Sequence, residues 1–109
     1  MSSFYRIDII IDIDSEYREN RLNAITEAIN LVWPLEVEWI DDGDTLLTGG
    51  KNAIGGARSD KDVADEIARS IFEANGGPLS LHIRTTYIED LPFDEYYYHA
   101  GHLPPVKTK

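Results

Sequence analysis

The chain has 109 residues, the size of one domain, and its 0 cysteines exclude a disulfide framework, a thiolate metal site and a cysteine nucleophile. Its 20 acidic residues against 10 basic ones give a formal net charge of -10. That field repels nucleic-acid phosphates and anionic lipid, so the expected partner is a protein with a basic surface, with neither direct nucleic-acid binding nor membrane binding.

Residues 5–14 alternate, with Ile7, Ile9, Ile11 and Ile13 on one side and Arg6, Asp8, Ile10, Asp12 and Asp14 on the other. Period-two alternation of β-branched residues predicts a first strand with one buried face. Asp14 and Ser15 are N-cap residues, and Leu22, Ile25, Ile29 and Val32 recur at helical spacing up to Pro34, which predicts an amphipathic helix. Leu35, Val37 and Trp39 alternate with Glu36, Glu38 and Ile40 as a second strand. The run Asp41-Asp42-Gly43-Asp44 is a hairpin signal, and residues 45–48 are the short return strand.

Residues 49–58 are rich in glycine and read as a loop. Ser59 and Asp62 form a capping box, Val63, Ile67, Ile71 and Phe72 give the stripe of a second helix, and Asn75-Gly76-Gly77-Pro78 ends it. Residues 79–88 alternate as a fourth strand, and the aromatic run after Pro92 is a candidate extra edge strand. Residues 1–102 are expected to form a single domain and residues 103–109 a flexible tail.

The order β-α-β-β-α-β is that of an α+β, ferredoxin-like two-layer sandwich: a four-stranded antiparallel sheet, spatial order 4-1-3-2, with two helices on one face. The face opposite the helices would then carry Asp8, Ile10, Asp12, Glu36, Glu38, Ile40, His82, Arg84, Thr86 and Ile88. Such a face, or an edge strand, is also a surface through which two copies of the chain could pair. No apolar run is long enough to span a membrane and no secretory leader is visible, so the expected compartment is the cytoplasm.

Three groups of residues carry candidate chemistry. Asp12 and Asp14, one residue apart on a strand, share a face and with His82 from the neighbouring strand offer oxygen and imidazole ligands for a divalent metal. Gly49, Gly50, Lys51, Gly55, Gly56 and Arg58 precede a helix N-terminus, where backbone amides and two cations suit an anion. Phe93, Asp94, Glu95, Tyr96, Tyr97 and Tyr98 form an acidic, tyrosine-rich segment of the kind found at interface cores.

The stretch Asp12-Ile13-Asp14-Ser15-Glu16-Tyr17-Arg18, with Arg21, resembles the first strand and helix entry of CRISPR-associated ferredoxin-fold nucleases. The resemblance implies a metal-binding aspartate at the end of the first strand, Asp12 here, and basic residues on the helix that follows. The glycine-rich run and the acidic balance depart from that family's pattern. No cofactor and no closed catalytic set are expected. The leading expectation is an acidic protein-binding module, a regulator or inhibitor of a basic partner. A metal-dependent phosphodiesterase using Asp12 and Asp14, and a sensor of small anionic ligands using residues 49–58, are the alternatives.

Overall fold

The computed structural model describes residues 3–12, 18–41, 45–55, 58–77, 79–88 and 93–98. In chain order the elements are β1 (Ser3–Asp12), α1 (Arg18–Asn30), β2 (Ile40–Asp41), β3 (Leu46–Ile54), α2 (Asp60–Asn75), β4 (Ser80–Tyr87) and β5 (Phe93–Tyr98). They form an α+β arrangement in which a five-stranded sheet runs β2-β3-β1-β4-β5. Every pairing is antiparallel. The fifth strand lies at the edge beside β4, so the sheet has one strand more than the four-stranded expectation.

Alternation along β1 decides what the sheet buries. Ile7, Ile9 and Ile11 are fully buried and join Ile25 and Ile29 of α1, Ile67, Ala68 and Ile71 of α2, and Leu81 and Ile83 of β4 in one apolar core. Fully burying one such aliphatic side chain contributes about 1.5–3 kcal/mol, so this layer is the main source of stability. α2 begins at Ser59, whose side chain accepts from the Asp62 amide while Asp62 accepts from the Ser59 amide, and it ends at Gly76 with φ 80. Arg21 of α1 donates to the Asn75 carbonyl at 2.7 Å and ties the two helices together at that end.

Two expectations need correction. Residues 35–39 do not form a strand, and β2 is only Ile40–Asp41. The chain before it crosses β3 instead of pairing alongside it. A side chain on Gly50 would lie 2.0 Å from the Pro34 carbonyl oxygen, so the backbone of Pro34 rests directly on this glycine. The Trp33 indole donates to the Gly50 carbonyl at 2.9 Å, the Glu36 amide to the Gly49 carbonyl at 2.9 Å, and the Trp39 indole to Thr26 Oγ1 at 2.7 Å. These contacts spend the segment's polar groups on side-chain and single backbone bonds, so no ladder forms.

Residues 49–54 are not loop either: they are the second half of β3, in register with residues 3–8 of β1. Trp33 and Pro34 over Gly50, and Asp8 over Gly49, fill the space that side chains would need there. The hairpin expected at Asp42-Gly43-Asp44 and the tail at residues 103–109 lie outside the described residues.

Candidate functional site

Directly paired residues of an antiparallel sheet share a face, so the register specifies the surface opposite the helices. One row across it is Lys51, Arg6, Thr86 and Phe93. The next is Gly49, Asp8, Arg84 and Glu95. A third crosses all five strands: Ile40, Leu47, Ile10, His82 and Tyr97. Asp12 and Ser80 follow. Among the described residues this face has three cations (Arg6, Lys51, Arg84) against three carboxylates (Asp8, Asp12, Glu95), so it is balanced in charge. Phe4, Ile40, Phe93 and Tyr97 are all more than half exposed. Glu36 and Glu38, expected on this face, sit instead in the irregular segment beside β3.

Several side chains on this face order one another. Arg6 Nε donates to Asp8 Oδ1 at 3.1 Å, and the Asp8 carboxylate lies where a side chain on Gly49 would be. The His82 ring stacks on Tyr97 with centroids 4.3 Å apart. His82 Nε2 is 3.1 Å from Glu95 Oε1, but it is out of line for a directed hydrogen bond, so the contact is one of proximity. Arg84 reaches the same oxygen at 3.4 Å and lies over the Phe93 ring at 5.2 Å. The nearest acid to His82 is thus Glu95 of β5, a partner that reading four strands alone did not supply.

The metal candidates are partly brought together. Asp12 and His82 line one shallow groove of about 340 Å³ with Ile10, Thr45, Ser80 and Tyr97, whereas Asp14 lies outside the described residues. Among the described residues no cluster of three His, Asp or Glu is placed to hold a metal ion. The anion candidates are separated. Gly49, Gly50 and Lys51 are in β3, Gly55 follows it, and Arg58 is engaged by Glu66, while Gly56 lies outside the described residues. With the Asp8 carboxylate across Gly49, that end of the run already holds a negative charge.

The tyrosine-rich segment is split by strand parity. Phe93, Glu95 and Tyr97 point away from the helices. Tyr96 and Tyr98 point at α2: Tyr96 donates to Asp60 Oδ2 at 2.9 Å and the buried Tyr98 to Asp65 Oδ1 at 2.6 Å. Thr85 also donates to Asp60, at 2.6 Å, and Lys61 to Asp65, at 2.9 Å. Burial first, and then the hydrogen bonds to these carboxylates, raise the pKa of both tyrosines well above the usual phenol value. Half of the expected binding segment is therefore the joint between β5 and α2. The signal was available as Asp60 and Asp65 on a helix whose stripe is otherwise apolar, but their partners are far away in sequence.

The structure adds one feature that the sequence reading had treated as part of a strand. Between α1 and the segment before β2 lies a groove of about 410 Å³, lined by Asn23, Thr26, Asn30, Glu36, Glu38 and Trp39 among others. Glu36, Glu38 and Asp41 are exposed, Val37 and Ile40 are exposed beside them, and residues 34–41 contain no basic residue. The Glu36 carboxylate accepts from the Lys51 amide at 3.1 Å, which anchors one wall of the groove to β3.

Compared with known proteins, the chain matches no family model, no curated protein and no solved structure.

Proposed function

We propose that this chain is a small protein-binding module whose acidic rim, Glu36, Glu38 and Asp41, receives a basic partner. The observation that carries this reading is the groove beside Trp39. Its lining includes two glutamates and an indole, and its volume of about 410 Å³ has room for the side chain of one lysine or arginine. An aromatic face with carboxylates nearby suits such a cation, at about 0.5–2 kcal/mol for the ring contact. Charge distribution supports the same direction. The described residues of the helix-free face balance, so the net charge of -10 is carried by other residues of the chain, Glu36, Glu38 and Asp41 among them. That surplus speeds the approach of a basic protein, in a way that salt screens. The occupant on this reading is a regulated or inhibited protein with an exposed basic side chain. We also read the inner strands β4-β1-β3-β2, with two helices against one face, as a ferredoxin-like layer that β5 extends.

The test is capture from lysate at low salt on immobilised protein, compared with the Glu38→Lys variant. A partner retained by the wild-type chain, released by salt and lost by the variant is the expected result. Equal capture by both proteins would remove the rim from consideration, and no salt-sensitive partner at all would remove the reading.

A further inference from the structure

The helix-free face poses a separate question, because it is the wrong surface for a basic partner. A face with matched cations and carboxylates does not select for either sign. Its exposed Phe4, Phe93 and Tyr97 and its apolar row from Ile40 to Tyr97 are nonetheless larger than scattered surface apolars. On a chain with a net charge of -10, the described residues of this face present a second copy with no net charge. We infer that this face pairs two copies of the chain, sheet against sheet.

The charge pattern selects how they pair. Along β1 the outward residues are Arg6, Asp8, Ile10 and Asp12. In a two-fold pair the same patch occurs on both sides, so where one residue meets a second the second also meets the first, and a residue on the axis meets its own image. An axis across the strands at the Asp8 row would set Asp8 on Asp8, Arg84 on Arg84 and Glu95 on Glu95, all like charges. An axis at the Ile10 row would set Asp8 on Asp12. Moving the axis between these two rows removes the clashes. Arg6 then faces Asp12 of the second copy, Arg84 faces the His82 ring stacked on Tyr97, and Asp8 and Glu95, each already held by an arginine of its own chain, lie over Ile10 and Tyr97.

The area is consistent with a weak, reversible dimer. Strands of 10, 2, 9, 8 and 6 residues, at ~3.3 Å per residue and ~4.8 Å apart, give a face of roughly 550 Å² per copy, or roughly 1,100 Å² in total. That is the lower limit of specific interfaces. The groove lined by Glu36, Glu38 and Trp39 lies beside α1 and outside the paired rows.

The experiment is sedimentation equilibrium of the full chain at physiological salt, from micromolar to millimolar concentration, on wild type, Arg6→Asp, Asp12→Arg, an equimolar mixture of those two, and Tyr97→Glu. Circular dichroism reports whether each variant folds. The expected result is a concentration-dependent rise in mass toward the dimer for wild type. Association falls at least tenfold for each single variant, because each copy then presents like charges twice, and it returns in the mixture, where both contacts are of opposite sign. Recovery on mixing cannot come from a folding defect. A wild type that stays monomeric throughout the series, a mass unaffected by Tyr97→Glu, or folded single variants that do not recover on mixing would each overturn the inference.

Discussion

Replacing Gly50 with alanine tests whether the acidic rim is held where the groove needs it. The added methyl would sit 2.0 Å from the Pro34 carbonyl oxygen, 3.1 Å from its carbon and 3.2 Å from the Glu36 amide nitrogen. All three obstacles are backbone, so no side chain can swing away, and either residues 34–36 lift or β3 bends. Overpacking strain of this kind costs about 1–3 kcal/mol. Lifting the segment also strains the Trp33 indole bond to the Gly50 carbonyl and the Glu36 amide bond to the Gly49 carbonyl, each worth about 0.5–1.5 kcal/mol. The expected loss is therefore about 4 kcal/mol, a large part of the ~5–15 kcal/mol total for a small domain. Urea unfolding followed by far-ultraviolet circular dichroism measures it, with Gly77→Ala as the control. Nothing lies within 4 Å of a side chain placed at Gly77, so the control should stay within about 0.5 kcal/mol of wild type. A Gly50→Ala protein that loses less than about 1 kcal/mol would show that the segment does not rest on β3, and the groove walled by Glu36 would lose its support.

Other consequences are open to measurement. Tyr98→Phe leaves the buried Asp65 carboxylate one donor short, and the expected cost is about 1–3 kcal/mol in the same unfolding assay. Tyr96 and Tyr98 have pKa values raised above the ordinary phenol value, so they stay neutral in the fold while the unfolded chain ionises near pH 10. Their contribution to stability is thus complete below about pH 10 and declines as pH rises above it. Thermal unfolding between neutral pH and pH 11 should show that decline, with a shallower slope in the Tyr96→Phe/Tyr98→Phe protein; equal slopes would contradict the joint between β5 and α2. Glu38→Lys alters an exposed residue and should change unfolding stability by no more than about 0.5 kcal/mol, so any loss of partner capture would be a loss of contact.

The extent to which the sequence foretold these features follows the range of the interactions that determine them. The buried face of β1, the stripe of α2, its Ser59 and Asp62 capping box and its glycine end were legible, because periodicity and capping chemistry act within a few residues. The separation of Asp8, Asp12, His82 and Arg84 from the helices was legible for the same reason, since strand parity alone assigns a side. Residues 34–39 and 49–54 were misread because their conformations are decided by each other. Leu35, Val37 and Trp39 alternate as a strand would, but Trp33 and Trp39 find indole acceptors on Gly50 and Thr26, and the glycines that look like loop are the clearance for Pro34 and Asp8.

Local pattern by itself settled which residues could be buried and where α2 begins and ends. Only the tertiary structure decided which polar groups meet: Tyr96 and Tyr98 with Asp60 and Asp65, His82 with Glu95, and Glu36 with the β3 backbone. The physical reason is that burial preference is a property of each side chain with its near neighbours. A hydrogen bond or ion pair between residues tens of positions apart exists only once the sheet register has placed both ends within about 3 Å.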